Sequence, residues 1–167
     1  QPRHGRPGAR VVFAGQDLGS VSAVRFGEAY ADWEPVGVVD DKGKIYIFEI
    51  HATVPNNATT ARPVLRTSFG DIVMPMPFVA APRIFGFHPN RGSPGMVVTI
   101  EGENFNGVTS VMFGEHRAQF SVTASTQIRA EVPSNVLDSK ITVLHKESAT
   151  SADLFKSVGP SPVIDQL

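Results

Sequence analysis

Residues 2–15 read PRHGRPGARVVFAG, and residues 89–102 read PNRGSPGMVVTIEG. The prolines, the glycines and one valine recur at matching positions, and the correspondence continues at the same spacing to Phe26-Gly27-Glu28 and Phe113-Gly114-Glu115. Self-similarity at one constant spacing indicates two copies of a small domain in series. A collective role such as spacing, stiffness or adhesion is therefore favoured over a single reactive centre.

The composition is typical of short strands joined by tight turns. The 167 residues include 15 glycines, 13 prolines and 11 phenylalanines. The formal net charge is -1, so no overall field attracts nucleic acid or an anionic membrane. No apolar run approaches the roughly 20 residues that cross a bilayer, and there is no cysteine. We therefore expect neither a nucleic-acid partner nor membrane insertion.

The apolar residues follow a period of two. Ile128, Ala130 and Val132 alternate with Arg129 and Glu131. This alternation places one face of a strand on a core and the other in water, as in an antiparallel sandwich. No segment shows a convincing helical period. The predicted fold class is therefore all-β, with two tandem β-sandwiches.

The first copy is longer than the second between Trp33 and Ile50. The additional residues are β-branched and aromatic on both sides of Asp40-Asp41-Lys42-Gly43, a pattern that predicts a β-hairpin insert at residues 34–49. A recognition hairpin and a simple extension of the sheet both fit this pattern. If the hairpin contacts a partner, the candidate contact residues are Tyr46, Phe48, Lys42 and Lys44.

The ends of the chain depart from the repeat. The second copy opens with Ala81-Pro82-Arg83-Ile84-Phe85-Gly86-Phe87, a predicted strand for which the first copy has no counterpart, and Ser161-Pro162-Val163-Ile164 resembles its beginning. Two interpretations stay open. In one, the chain is a fragment of a longer array. In the other, the segment containing Pro162, Val163 and Ile164 is donated as a strand to the open sheet edge of another molecule.

The motifs of the second copy resemble the IPT/TIG family of immunoglobulin-like domains. They include Asn104-Phe105 after a Val-Thr-Ile strand, then Val111-Met112-Phe113-Gly114, and finally Ile128-Arg129-Ala130-Glu131-Val132-Pro133. The first copy departs from this pattern, because Asp17-Leu18 replaces Asn-Phe and because it lacks the first strand and contains the insert. The resemblance implies two tandem immunoglobulin-like β-sandwiches, at residues 1–79 and 80–158. Residues 159–167 would be a linker or the first strand of a further repeat.

Sequence motifs of catalysis are absent. There is no Gly-x-Ser-x-Gly elbow, no His-Glu-x-x-His and no phosphate-binding glycine-rich loop. The five histidines are far apart in sequence and are interpreted as solvated surface residues. Asp40-Asp41 lacks the further oxygen ligands that calcium needs and is better explained as a turn. We therefore expect no enzyme activity, no cofactor and no metal.

The resemblance implies a structural, adhesive or carbohydrate-contacting role. We expect a non-catalytic module of a larger extracellular, cell-surface or virion assembly, such as a rod, decoration, tail or fibre component. Its partners would be proteins or further copies of the same chain, with carbohydrate as an additional class. One alternative is an accessory carbohydrate-contacting region of a polysaccharide-active enzyme. Another is the immunoglobulin-like domain of a Rel-like transcription factor, against which the near-neutral charge argues.

Overall fold

The computed structural model describes residues 3–159, which fold almost entirely into β-strands. The only helical segment among them is a 3-10 turn at Leu18–Ser20. No helix in this described range has the length and apolar character needed to span a membrane. The all-β fold class predicted from the alternation is confirmed. The chain divides into two compact units, Gln1–Ala81 and Pro82–Leu167.

The first unit contains two main sheets. One has the strand order β2-β6-β5 and the other has the order β4-β3-β7-β8, while β1 and β9 form a short parallel pair. The strands are β1 (His4–Gly5), β2 (Arg10–Ala14), β3 (Val21–Phe26), β4 (Ala29–Tyr30), β5 (Trp33–Val39), β6 (Ile45–Thr53), β7 (Val64–Thr67), β8 (Gly70–Val73) and β9 (Val79–Ala80).

The second unit repeats this arrangement with one important addition. Its sheets have the orders β10-β12-β16-β15 and β11-β18-β17-β13-β14. The strand β10 at the edge of the first of these sheets has no counterpart among the described residues of the first unit. The strands are β10 (Arg83–His88), β11 (Arg91–Gly92), β12 (Val97–Glu103), β13 (Ser110–Phe113), β14 (His116–Arg117), β15 (Phe120–Ala124), β16 (Gln127–Glu131), β17 (Ser139–Leu144) and β18 (Ser148–Ser157).

Each unit has its own hydrophobic core between its sheets. In the second unit Val98, Ile100, Ile128 and Ala130 are fully buried, and the residues between them are more exposed. Burying one valine or isoleucine side chain contributes about 1.5–3 kcal/mol. The alternation in the sequence therefore determines which face of each of these strands holds the sandwich together.

An aromatic pair occupies the same place in both cores. The rings of Phe26 and Phe78 meet edge to face at 4.9 Å, and those of Phe113 and Phe155 meet at 5.1 Å. Edge-to-face contact is a favourable geometry for aromatic rings. The repeated Phe-Gly-Glu motif thus supplies one ring of an equivalent pair in each unit.

A left-handed residue positions a second buried side chain in each core. Asp17 and Asn104 have φ values of 55° and 60°, a conformation that Asp and Asn tolerate better than most residues. The next residues, Leu18 and Phe105, are buried. The turn therefore directs the following side chain into the core.

The first compact unit ends at Ala81. In β9, Val79 and Ala80 pair with His4 and Gly5. The backbone N–H of Ala81 donates to the carbonyl oxygen of Gly5 at 3.0 Å. Because these contacts are made with β1, residues 79–81 belong to the first unit.

Candidate functional site

The hairpin formed by β5 and β6 is the largest addition to the repeated scaffold. β5 has seven residues and β6 has nine, whereas the corresponding strands β15 and β16 have five each. The insert at residues 34–49 therefore lies in a continuation of the sheet that ends in an exposed turn.

A β-bulge at Phe48 interrupts this hairpin. Val36 and Gly37 are consecutive in β5, but their partners in β6 are Glu49 and Ile47. Phe48 is therefore an additional residue between two pairs. An added Cβ at position 37 would lie 2.2 Å from a backbone oxygen of β6, so the close approach of the strands requires a glycine there.

The bulge reverses the alternation of side chains beyond it. In an uninterrupted strand, Phe48 and Tyr46 would share the core-facing side with Ile50. Instead Ile47 packs against the core, while Tyr46 and Phe48 are 46% and 42% exposed. The bulge thus presents two aromatic side chains to the solvent.

Asp40 holds the turn at the tip of the hairpin. Its Oδ1 accepts hydrogen bonds from the backbone N–H groups of Lys42 at 2.9 Å and Lys44 at 2.8 Å. The bond from Lys44 is the main cause of a lowered pKa of Asp40, which desolvation partly opposes. The described residues contain no group of three or more His, Cys, Asp or Glu side chains that could hold a metal. Asp40 therefore acts here as a turn-forming carboxylate.

The same carboxylate also orients an aromatic ring. The hydroxyl of Tyr46 donates to Oδ2 of Asp40 at 3.3 Å, and Nζ of Lys44 lies 4.9 Å from the centroid of the Tyr46 ring. A cation over a ring face at this distance is attracted by about 0.5–1 kcal/mol at an exposed site. Tyr46 is therefore held at both its hydroxyl and its ring face.

A surface groove runs beside the hairpin. Its lining consists of residues 15–17 and Gly19 together with residues 44–48, around a volume of about 440 Å³. The groove combines two aromatic side chains, one ammonium group and the carboxylate of Asp17. These groups suit non-covalent contact with a partner that has both apolar and polar surface.

Three of the four predicted contact residues line this groove. They are Lys44, Tyr46 and Phe48, whereas Lys42 lies on the turn and is not part of the lining. The loop around Asp17 was not predicted as part of a site. The only sequence signal for it is the replacement of Asn-Phe by Asp17-Leu18 in the first copy. The predicted strand-donor residues lie outside the described part of the chain: Pro162, Val163 and Ile164.

A charged cluster on the sheet β2-β6-β5 also had no sequence signal. Arg10 pairs with Glu34 and contacts Nδ1 of His51, whose Nε2 lies 2.6 Å from Oε2 of Glu49. The His51 side chain is only 17% exposed, so the interpretation of this histidine as a freely solvated residue is wrong. The exposed Arg10–Glu34 ion pair contributes about 0–1 kcal/mol.

Several solved structures match this chain at low sequence identity. SGBP-B from a complex xyloglucan utilization locus in Bacteroides uniformis is 15% identical with a TM-score of 0.44, over 90% of this chain and 46% of that chain. SGBP-B of a Bacteroides ovatus mixed-linkage glucan utilization locus, in complex with a mixed-linkage heptasaccharide, is 21% identical with a TM-score of 0.40, over 94% and 43%. The plexin A4 extracellular region is 21% identical with a TM-score of 0.46, over 94% and 17%. The chain spans less than half of the length of each of these proteins.

The match to a family model is confined to the second unit. None of the curated proteins compared with the sequence matches it. The model of the IPT/TIG domain matches residues 82–157, a range that begins at the first residue of the second unit and ends with β18. The part of the chain that the comparisons assign to a family is therefore residues 82–157, which match the IPT/TIG domain.

Proposed function

We propose that this chain is a non-catalytic binding and structural module of an extracellular, cell-surface or virion assembly, and that it contacts its partner through the groove beside the β5–β6 hairpin. The observation that carries the proposal is the Tyr46 ring, which Lys44 and Asp40 hold in place next to the exposed Phe48.

The hairpin has the composition of a protein contact surface. Besides Tyr46 and Phe48, it exposes Val38, Val39 and Ile45. Contiguous exposed apolar surface on a folded domain often marks an interaction site. Tyrosine is enriched among the residues that contribute most to binding. A protein partner, or a further copy of this chain, therefore fits this surface.

The tip of the hairpin is already held by hydrogen bonds before a partner binds, and this favours binding. Asp40 accepts hydrogen bonds from two backbone groups of the turn and from the hydroxyl of Tyr46. Holding a rotamer-rich side chain at an interface costs about 0.5–1.5 kcal/mol on binding. A ring that is already held loses less freedom when a partner covers it.

Carbohydrate is the second candidate partner. Asp17 and Tyr46 both line the groove. A sugar presents apolar C–H faces together with hydroxyl groups, and a few polar groups around an apolar surface can orient such a ligand. Binding to carbohydrate would use the same residues as binding to protein.

We also propose that the first unit is a divergent second copy of the IPT/TIG domain. Its support is internal to the chain. The Phe26–Phe78 pair and the left-handed Asp17 reproduce Phe113–Phe155 and Asn104 of the matched unit.

The test replaces both exposed aromatic residues of the hairpin. The variant Tyr46→Ala/Phe48→Ala is compared with Tyr30→Ala/Phe69→Ala, which removes two other exposed aromatic side chains of the same unit. The control is closely matched, because Arg25 lies 5.9 Å from the centroid of the Tyr30 ring as Lys44 lies over Tyr46. Both variants are made in a chain without residues 160–167, so that the predicted strand-donor segment is absent. Binding is measured by interferometry to immobilised copies of this shortened chain, to xyloglucan and to mixed-linkage glucan.

We expect the hairpin variant to bind at least tenfold more weakly than the control to one of these surfaces. The free energy of unfolding of either variant should change by less than about 1 kcal/mol, because the replaced side chains are exposed. Loss of protein binding supports an adhesive role, and loss of polysaccharide binding supports the carbohydrate alternative. Equal binding by both variants would contradict a contact role for the hairpin.

A further inference from the structure

The second unit shows how an edge strand completes this type of sandwich. β10 runs antiparallel to β12, with Ile84 opposite Gly102 and Phe87 opposite Ile100. Ile84 and Phe87 pack against the core, and the rings of Phe87 and Phe155 are 6.4 Å apart. β10 therefore supplies both backbone pairing and apolar side chains to the core.

The first unit lacks this covering strand among the described residues. β2 corresponds to β12 in the repeat and pairs with β6 on one side. Within residues 3–159, no strand pairs with its other side. A free strand edge presents unpaired N–H and C=O groups that can accept a strand from another chain.

A cavity lies where the missing strand would place its side chains. It has a volume of about 370 Å³, and its lining includes Val11, Phe13 and Phe78. These residues are the counterparts of Val98, Ile100 and Phe155. The space that the Phe87 ring occupies beside Phe155 therefore corresponds to open space beside Phe78.

The glycine that directly follows β2, Gly15, is suited to the same close approach. In the second unit an added Cβ at Gly102 would lie 1.9 Å from the carbonyl oxygen of Arg83 in β10, so only glycine allows β10 to pass there. At the corresponding Gly15 the nearest atom to an added Cβ is 3.5 Å away, on Leu18. Nothing in the described part of the first unit requires a glycine at position 15, but an added strand would.

The C-terminal segment has the pattern of such a strand. Residues 161–167 read SPVIDQL and align with residues 81–87, which read APRIFGF. Pro162 aligns with Pro82. Ile164 and Leu167 align with Ile84 and Phe87, the two core-packing residues of β10.

We propose that the free edge of β2 accepts residues 162–167 of a second copy of this chain as an added antiparallel strand. Ile164 then lies opposite Gly15, and Leu167 lies opposite Phe13 and enters the cavity beside Phe78. The donating and accepting surfaces are different, so the contact is heterologous. Each added molecule leaves a further edge open, and the assembly grows head to tail.

The first experiment measures molar mass by light scattering at increasing concentration. The intact chain of 17.9 kDa is expected to reach at least twice its monomer mass. A chain without residues 160–167 should stay monomeric. If the intact chain is monomeric at millimolar concentration, the proposal is wrong.

Two glycine variants separate assembly from folding. Gly15→Ala should abolish assembly without loss of stability, because the nearest atom to its Cβ in the unassembled unit is 3.5 Å away, an ordinary contact distance. Gly86→Ala is the matched control, since an added Cβ there has no atom within 4 Å, and it should assemble like the intact chain. Equal assembly by both variants would contradict a strand bound at β2.

A peptide experiment identifies the occupant. A labelled peptide of residues 160–167 is titrated into the shortened chain and followed by fluorescence anisotropy, and replacing Ile164 and Leu167 with aspartate should weaken its binding at least tenfold. Binding of a peptide of residues 81–87, but not of residues 160–167, would overturn the proposed occupant.

Peptide binding combined with a monomeric intact chain would show that the segment folds back within one molecule, which also overturns the proposal. The Tyr46→Ala/Phe48→Ala variant should assemble normally, which keeps this test separate from that of the hairpin.

Discussion

In the second unit β10 lies along β12 and closes the core, whereas in the first unit the corresponding side of β2 pairs with no described strand. At the opposite edge of the same sheet the difference is reversed, because β5 and β6 extend well beyond the lengths of β15 and β16. The buried aromatic pairs of the two units are nevertheless equivalent. Closely packed core side chains tolerate little change in sequence. Turns and exposed sheet edges have fewer packing contacts, so their sequences can vary more. The two units therefore share the same core packing and differ at the edges of their sheets.

The largest expected effect comes from removing the ring nearest the differing edge. Phe155 contacts the rings of Phe113 and Phe87, whereas Phe78 contacts Phe26 and adjoins the open cavity. We expect Phe155→Ala to lower the free energy of unfolding of its unit by about 4 kcal/mol and Phe78→Ala by about 3 kcal/mol. The measurement is urea unfolding of the chain lacking residues 160–167.

The single tryptophan of the chain, Trp33, lies in the first unit. Its fluorescence therefore reports the unfolding of that unit, and circular dichroism reports both units. A loss for Phe78→Ala that equals or exceeds the loss for Phe155→Ala would mean that the cavity is closed in solution.

An intermediate effect is expected from the two corresponding glycines. Gly102→Ala places a Cβ 1.9 Å from a backbone oxygen and 2.5 Å from the Phe105 ring. It should destabilise the second unit by about 2–3 kcal/mol, as overpacking does. Gly15→Ala should change the first unit by no more than about 0.5 kcal/mol. Similar losses in both units, measured by urea unfolding of the same shortened chain, would show that another contact constrains Gly15.

The smallest effect concerns a hydrogen bond whose acceptor is a carboxylate in the second unit and a hydroxyl group in the first. Oδ1 of Asp138 accepts from the backbone N–H of Ser157 at 2.9 Å, and the corresponding acceptor in the first unit is Oγ1 of Thr60, which accepts from Ala80 at 3.1 Å. The bonds from Lys156 and then from Ser157 lower the pKa of Asp138 below its ordinary value. Stability from this carboxylate is therefore present above its unfolded-state pKa and is lost as the pH falls through the lower folded-state pKa.

We expect Asp138→Asn to destabilise the second unit slightly at pH 7. The variant and the unmodified chain should converge in strongly acidic solution, where the carboxylate is protonated in both the folded and the unfolded state. Thermal unfolding at the two pH values checks this expectation, with Trp33 fluorescence of the first unit as an internal reference. If the two chains still differ in stability by the same amount in acid, the effect of the substitution does not come from the charge of Asp138.

The sequence predicted the main features of each sandwich because they depend on local periods. Alternation in β12 and β16 identified the buried Ile100 and Ile128, and the Asp40 turn located the hairpin. The parallel pairing of β1 with β9 had no sequence signal, because it joins residues that lie far apart in the chain.

The candidate site could be predicted only in part. The hairpin pattern in the sequence predicted Tyr46, Phe48 and Lys44 as contact residues. No sequence pattern relates Asp17 to them. The charged cluster of Arg10, Glu34 and His51 likewise depends on the register of three strands. A register shift of one residue moves every side chain to the other face. This register joins Arg10 to Glu34 and His51, which lie 24 and 41 positions away in the chain.

The amino-acid sequence by itself determined the all-β fold, the repeated core and the turns, because the strand period and the left-handed preferences of Gly, Asn and Asp act over a few residues. Only the tertiary structure decided that Tyr46 and Phe48 face the solvent, because a bulge at Phe48 reverses the alternation counted from Ile50. It also decided that Gly102 is sterically required while Gly15 is not, because that depends on whether a neighbouring strand is present.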